Sequence, residues 1–424
     1  MGSFENLTED YATEPVPQEK TYSGWRVGFI LGGIGIALPA LLSGAEVGKA
    51  LGYEKSLAAF TVAGFLVTGL AILSGWVGMR SRLSTYMLLR FSFGRMGARL
   101  VSLTFAFAQF GWFGVNAFFF GAAASSAGEA TLGLGLPGDA YIVFGGVLMT
   151  AATVFGFKAL DKLAMVVFPL MVTMLAVMTA QTFAGATPAE IFALPGDASM
   201  SFGQAVTALA GGIIVGVLLV PDLTRYARGP VDVVIAVLIA LAIIEPLVHV
   251  AASGPALRYG ETDPLALMLA AGLGAAAFFF LIVASLTTNA VNLYGSGLSL
   301  AAVFPKVQEW VFIIAAGVIG TGLAIFDISE VFIDFLVWQS VIFSSVLGVY
   351  VVDFFLVKKG DYSLSALNGA PLYSGSAFAS WAIGAIISGL TYAERFSLTG
   401  IANLDGVIVA AILYFLLSKA SRKE

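Results

Sequence analysis

The sequence predicts an all-α membrane protein. It should have twelve transmembrane helices, arranged as two five-helix repeats of opposite membrane orientation followed by two further helices. Three observations carry this. Hydrophobic residues make up 59% of the 424 residues and charged residues only 11%, against about 25% charged in a soluble domain. So few charges cannot cover a water-facing surface. Apolar stretches of the ~20 residues needed to cross a bilayer recur along the whole chain. Two glycine-rich clusters stand five stretches apart, and a repeat of five helices is necessarily inverted in the membrane.

Residues 1–25 are polar, with Glu5, Glu9, Asp10, Glu14 and Glu19 against Lys20. A secretory signal needs a basic start and an early apolar core, so this segment reads as a cytoplasmic tail. Spans are expected near 27–45, 56–79, 99–127, 140–157, 163–184, 204–221, 231–252, 266–298, 309–326, 331–355, 376–393 and 404–418. The uncharged run from Pro264 to Pro305 has room for one helix or two. With one helix, 17 of the 21 Lys and Arg residues fall on the side of the N-terminus; with two, 12 do. Cytoplasmic loops carry the Lys/Arg excess, so one helix is expected, with both termini cytoplasmic. The chain then divides into the tail 1–25, repeat one at 26–185, repeat two at 204–357, two added spans within 371–418, and a cytoplasmic end at 419–424.

Composition narrows the function. There is no cysteine, and His249 is the single histidine, which excludes thiolate chemistry and histidine-cluster metal sites. Facing spans carry no paired carboxylates, so an enzyme is not expected. No pore-ring motif suggests a channel. The net charge of −5 gives no nucleic-acid face, and nothing implies an obligate protein partner or a cofactor.

Two helices should be broken. Span 1 contains Gly32-Gly33-Ile34-Gly35-Ile36-Ala37-Leu38-Pro39, and span 6 contains Gly211-Gly212-Ile213-Ile214-Val215-Gly216 with Pro221 near its end. Either cluster alone can serve close helix packing. As a pair at corresponding places in two repeats, they suggest helices unwound at a transport site.

Polar side chains mark the same region. Gln109 and Trp112 share a face of span 3; an indole stacks on a planar ring while an amide bonds its edge, although plain helix packing also accounts for the pair. Span 8 holds Ser285, Thr287, Thr288, Asn289 and Asn292 within eight residues. That exceeds the usual back-bonding of Ser and Thr in a helix. Adjacent hydroxyls with freed carbonyls suit sodium. Glu245 and His249 in span 7, Asp222 after span 6 and Asp334 in span 10 are the alternatives for carrying a proton.

These stretches resemble the nucleobase:cation symporter family, and within it the bacterial cytosine/purine permeases. The resemblance rests on Glu14-Pro15-Val16-Pro17, Ser43-Gly44-Ala45, Leu89-Arg90-Phe91-Ser92-Phe93-Gly94, Gln109-Phe110-Gly111-Trp112-Phe113-Gly114-Val115, Asp222-Leu223-Thr224-Arg225-Tyr226, Thr287-Thr288-Asn289 and Leu293-Tyr294-Gly295-Ser296-Gly297-Leu298. It implies a LeuT-type five-plus-five inverted repeat with two added helices, sitting in the inner membrane. It implies sodium-coupled import of a nucleobase bound between spans 1, 3, 6, 8 and 10. The stacking ring falls on Trp112 and the base-reading amide on Gln109. Gly212, Ile213 and Val215 of span 6 and Asn289 and Asn292 of span 8 complete the expected substrate wall. The family's sodium site maps to carbonyls of Gly33, Ala37 and Ala284 and hydroxyls of Thr287 and Thr288. Two departures stand out. Ile213 occupies the place of a second sandwiching aromatic. Ala284 replaces one asparagine, and another, expected at Val291, is shifted to Asn292. A hydantoin, allantoin or vitamin-precursor heterocycle is the alternative cargo, and a proton the alternative coupling ion.

Overall fold

The computed structural model describes residues 14–421 except 134, 305 and 327–329, with side chains left aside at 33–34, 130–132, 155–168 and a few single positions. The chain is helical throughout its apolar stretches, because a backbone in lipid must satisfy its hydrogen bonds within its own segment. Among the described residues, seven helices are long and apolar enough to cross a membrane: Tyr53–Ser81, Gly97–Glu129, Phe202–Thr224, Pro230–Tyr259, Ala275–Ala301, Phe332–Val357 and Ala402–Ala420. Three shorter apolar helices, Gly138–Val154, Pro169–Phe183 and Trp310–Ile325, fall at expected spans 4, 5 and 9. Gly375–Tyr392 falls at span 11, and span 1 is split. The set is consistent with twelve crossings.

Span 1 breaks where its sequence suggests. It consists of Gly24–Gly35 and Leu38–Leu51. Between them Ile36 has φ −80° and ψ 79°, and the Ala37 amide donates to the Gly35 carbonyl at 2.9 Å. This is an inverse γ-turn. Pro39 then lies in the first turn of the second half, where its missing N–H leaves no helical bond unmade.

Span 6 is not broken. Phe202–Thr224 is one continuous helix. Gly211 serves packing: a Cβ there would stand 2.1 Å from the Leu336 carbonyl oxygen of span 10. Glycine in a helix costs only about 1 kcal/mol relative to alanine, too little to unwind a helix that gains a close neighbour. Pro221 removes the amide that would bond the Val217 carbonyl, and the Ser74 hydroxyl of span 2 donates to that carbonyl instead, at 2.9 Å.

Three other expectations change. The 266–298 stretch is a short helix, Pro264–Ala270, followed by a turn and then the crossing helix Ala275–Val303. The turn uses Gly272 and Gly274 at positive φ, a conformation that needs glycine. The expected spans 4 and 5 lie within one helical segment, Gly138–Phe183, whose 155–168 link contains no proline. Span 7 widens into a π-helix at Leu238–Ile244, directly before Glu245-Pro246, and the wide turn accommodates the proline.

The helices pack in a definite pattern. Both halves of span 1 lie on span 7, and span 2 lies on span 6. Spans 3 and 8 lie on each other, span 3 also on span 9, and span 8 also on Gly138–Phe183. Spans 11 and 12 pack together, and against span 10. The tail is pinned from residue 14: Val16 is buried against Tyr226, and its amide donates to the Arg82 carbonyl at 3.0 Å.

Candidate functional site

The Gln109–Val115 string explains how a polar wall is built inside an apolar bundle. Its glycines admit neighbours. A Cβ on Gly111 would collide with the Phe335 ring at 2.5 Å, and one on Gly114 would come within 3.1 Å of the Gly320 carbonyl oxygen. Spans 9 and 10 therefore approach span 3 closely, and Phe335 and Phe332 meet Trp112 edge-on, with ring centroids 5.4 and 6.3 Å away. The indole N–H of Trp112 donates to Oε1 of Gln339 at 2.9 Å. Gln339 is fully buried, and its remaining nitrogen has no partner among the described residues.

Trp112 lines a cavity of about 880 Å³, which is bounded by spans 1, 3, 6, 7, 8 and 10. Gln109 lies in the same wall. Its amide makes no hydrogen bond among the described residues, and its nitrogen sits 3.2 Å from where a Cβ on Gly295 would be. Gly295 thus makes the room that the amide occupies. Asn116 donates to the Trp112 carbonyl at 2.9 Å, and its oxygen is buried without a partner among the described residues. Asn292, also in the wall, donates to Oδ1 of Asn289 at 3.2 Å.

The predicted substrate residues divide. Gln109, Trp112, Gly212, Ile213, Val215 and Asn292 all line the cavity. Asn289 does not. Its amide is turned away, donating to the Phe113 carbonyl at 3.0 Å and directed at the Met149 sulfur at 3.0 Å, so it orients Asn292 from behind the wall. The span 6 surface is apolar and small, and the nearest atom to a Cβ on Gly212 would be 3.8 Å away.

For the expected cation ligands, Ala37 and Thr288 both face the cavity. The Ala37 carbonyl starts the second half of span 1, accepting from Ala40 at 3.1 Å and Leu41 at 3.4 Å. Ala284 is buried, and beside it the Ser285 hydroxyl is buried without a partner. The side chain of Thr287 and the surroundings of Gly33 lie outside the described residues.

Among the ionisable groups, Glu245 and His249 line the cavity. Oε2 of Glu245 lies 2.9 Å from where a Cβ on Gly35 would stand and has no partner among the described residues. Its Oε1 is 3.8 Å from Nε2 of His249, whose ring stacks on Phe60 at 5.3 Å. Gly35, immediately before the span 1 break, lets the carboxyl approach. Asp222 lies at the far end of the cavity. Asp334 is exposed in the first turn of span 10 and does not reach it.

Sequence reasoning missed two residues. Gln339 stands 227 positions from the indole it holds, so only a polar residue in an apolar span signals it. Asn116 lies one turn beyond Trp112, and that spacing was a usable signal.

Known proteins share this architecture. The profile of the family described as permease for cytosine/purines, uracil, thiamine and allantoin matches residues 15–413. The cytosine permease of Escherichia coli strain K12 is 27% identical over 411 residues, covering 96% of this chain and 94% of its own. The cytosine permease of Escherichia coli O157:H7 matches to the same extent. Among solved structures, Mhp1 in an inward-facing conformation superposes with a TM-score of 0.86 at 17% identity, over 96% of this chain and 93% of its own. Mhp1, a nucleobase-cation-symport-1 family transporter, also matches in a closed conformation with bromovinylhydantoin bound. There the TM-score is 0.83 at 17% identity, over 98% of this chain and 96% of its own.

Proposed function

The chain belongs to the family of permeases for cytosine/purines, uracil, thiamine and allantoin, and from that premise we propose that it imports a nucleobase or related planar heterocycle by sodium-coupled symport with alternating access. The carrying observation is one cavity in which the Trp112 ring meets the amides of Gln109, Asn116 and Asn292 beside the break in span 1. A planar heterocycle has an apolar face and an edge of donors and acceptors. The indole suits the face. An amide, offering both a donor and an acceptor, suits the edge. Ile213 supplies an aliphatic surface where a second aromatic would close a sandwich, which favours rings broader or less flat than cytosine. Mhp1 in its closed conformation has bromovinylhydantoin bound, a heterocycle that is not a nucleobase.

We read residues 26–185 and 204–357 as the inverted repeats. The packing supports this reading. Exchanging each span with the one five places on turns the 1–7 contact into the 6–2 contact, returns 3–8 to itself, and turns 3–9 into 8–4. The cavity extends to Arg90, Arg99 and Asp222, at the membrane face where the basic residues gather. That face is the cytoplasmic one by the positive-inside rule, so both termini are cytoplasmic and this conformation opens inward.

In this reading sodium binds between the span 1 break and span 8, on the Gly33, Ala37 and Ala284 carbonyls with Thr287 and Thr288. A hard cation there draws the two spans together and favours the substrate-binding state; coupling follows from differential affinity for the two states. The Glu245 carboxyl, whose Oε2 stands against Gly35 with no partner among the described residues, favours a second reading, in which a proton is the coupling ion.

Uptake into proteoliposomes separates the two. A sodium gradient without a pH gradient should drive accumulation. Thr288→Val, which keeps volume and removes one oxygen, should lower sodium affinity by about tenfold and leave sodium-free substrate binding near wild type. Accumulation driven only by a pH gradient, and abolished by Glu245→Gln, would replace the sodium reading with the proton one.

A further inference from the structure

Two strings singled out in the sequence take no part in the substrate wall: Leu89–Gly94 and Asp222–Tyr226. Packing explains most of their side chains. Phe91 lies flat on Tyr362, with ring centroids 4.1 Å apart and planes 8° apart. Phe93 meets Phe378 and Trp381 edge-on. Gly94 has a φ of +91°, and a Cβ on it would stand 2.7 Å from the Leu372 carbonyl oxygen. The Thr224 hydroxyl donates to the Gly75 carbonyl at 3.0 Å. Arg90 is explained only in part, by its guanidinium lying 6.0 Å from the Tyr86 ring centroid. It lines the mouth of the cavity together with Arg95, Arg99 and Arg225.

The Nε atoms of Arg90 and Arg99 are shielded from solvent and have no hydrogen-bond partner among the described residues. Nη1 of Arg90 is directed only at the Met87 sulfur, 3.4 Å away. One carboxylate, Asp222, shares the mouth, and its Oδ1 already accepts the Thr85 amide at 2.9 Å. Glu245, the other acid in the cavity, lies deep at the span 1 break. A positive-inside bias accounts for basic residues at helix ends, where long side chains reach out to water. It does not account for two shielded Nε atoms that meet no acceptor among the described residues. Among the described residues, four positive charges line the mouth against one negative, with Arg225 already donating its Nε to the Asp222 carbonyl at 3.1 Å; in a cleft with low-dielectric walls such an excess focuses a field that concentrates anions.

We propose that this mouth is a binding site for a phosphate group, carried by free phosphate or by a nucleotide, and that it is separate from the substrate site at Trp112. Guanidinium forks match phosphate oxygens in pairs, and a dianion supplies the acceptors that Arg90 and Arg99 lack. Lying across the route between the Trp112 region and the cytoplasmic face, the bound anion stabilises the inward-open form and obstructs exit. It therefore acts as an inhibitor from that side.

The test uses the purified full-length protein and needs no cargo, so it stands apart from the import reading. Thermal stability is measured against inorganic phosphate and against a nucleoside monophosphate, at ionic strength held constant with chloride. Saturable stabilisation is expected, since a ligand bound only to the folded state raises its stability with occupancy. Stabilisation by both names the phosphate group itself as the ligand; stabilisation by the nucleotide alone names the nucleotide as its source. Arg90→Gln and Arg99→Gln should each raise the apparent Kd by tenfold or more. If Arg90→Gln does not fold, Arg99→Gln decides. No stabilisation beyond chloride, or saturable binding unchanged in the folded variants, overturns the proposal.

Discussion

The indole of Trp112 stands steeply against the Phe332 and Phe335 rings, is held at its nitrogen by Gln339, and lines the cavity. A base stacked on an aromatic ring is worth about 1–3 kcal/mol. Trp112→Ala should therefore weaken substrate binding about ten- to a hundredfold on the 1.4 kcal/mol per decade rule. The protein should still fold, since one side of the ring faces a cavity rather than packed core. Binding titrations with the purified variant check this. Gln109 acts differently. Its amide has no protein partner among the described residues, so an analogue lacking the complementary group leaves it unpaired, and such sites discriminate sharply. Gln109→Leu should flatten the ranking of related heterocycles in a competition assay more than it lowers the best affinity.

At the scale of the element, the two glycine clusters have opposite consequences. In span 1, Gly35 is followed by an inverse γ-turn and Pro39, and the helix restarts. In span 6, Gly211 admits a carbonyl of span 10, and the helix continues. A β-branched side chain at Gly211 has to displace backbone. Gly211→Val should destabilise the protein by about 2 kcal/mol or more, in the upper range for overpacking. Gly212→Ala, one residue along with open space at 3.8 Å, should be neutral or gain up to about 1 kcal/mol from helix propensity. Melting temperatures of the two variants in one detergent decide it. Equal effects would mean that the glycines act through backbone freedom rather than packing. Both breaks were expected from the sequence, but a glycine cluster reads alike whether it unwinds a helix or seats a neighbour.

The whole molecule presents its cavity toward one membrane face. The chain has no cysteine, so a single introduced thiol reports on that face without background. Ser299 lines the cavity near the mouth. Ser299→Cys should react with a membrane-impermeant maleimide from the cytoplasmic side and be shielded from the other. Substrate with sodium should slow the reaction by favouring closure. Labelling from the external side alone would reverse the assigned orientation. At this scale much of the fold was legible in the sequence. A bilayer obliges every crossing segment to be apolar and to satisfy its own backbone, so class, approximate boundaries and the single crossing after Pro264 follow from local composition and the Lys/Arg bias. The gathering of Gln109, Trp112 and part of span 8 was legible too, because polar side chains stand out in apolar helices. Their exact facing was not. Asn289 and Asn292 are three residues apart in one helix, yet one holds the other from behind the wall. Gln339 reaches Trp112 across 227 positions, and Asp334, five residues before it, faces outward. The sequence alone determined a membrane-spanning helical protein with polar side chains gathered in spans 3 and 8, because lipid tests each segment separately. Only the tertiary structure decided that span 6 stays whole and which amides see the cavity, because these depend on which neighbour's backbone comes within a few ångströms.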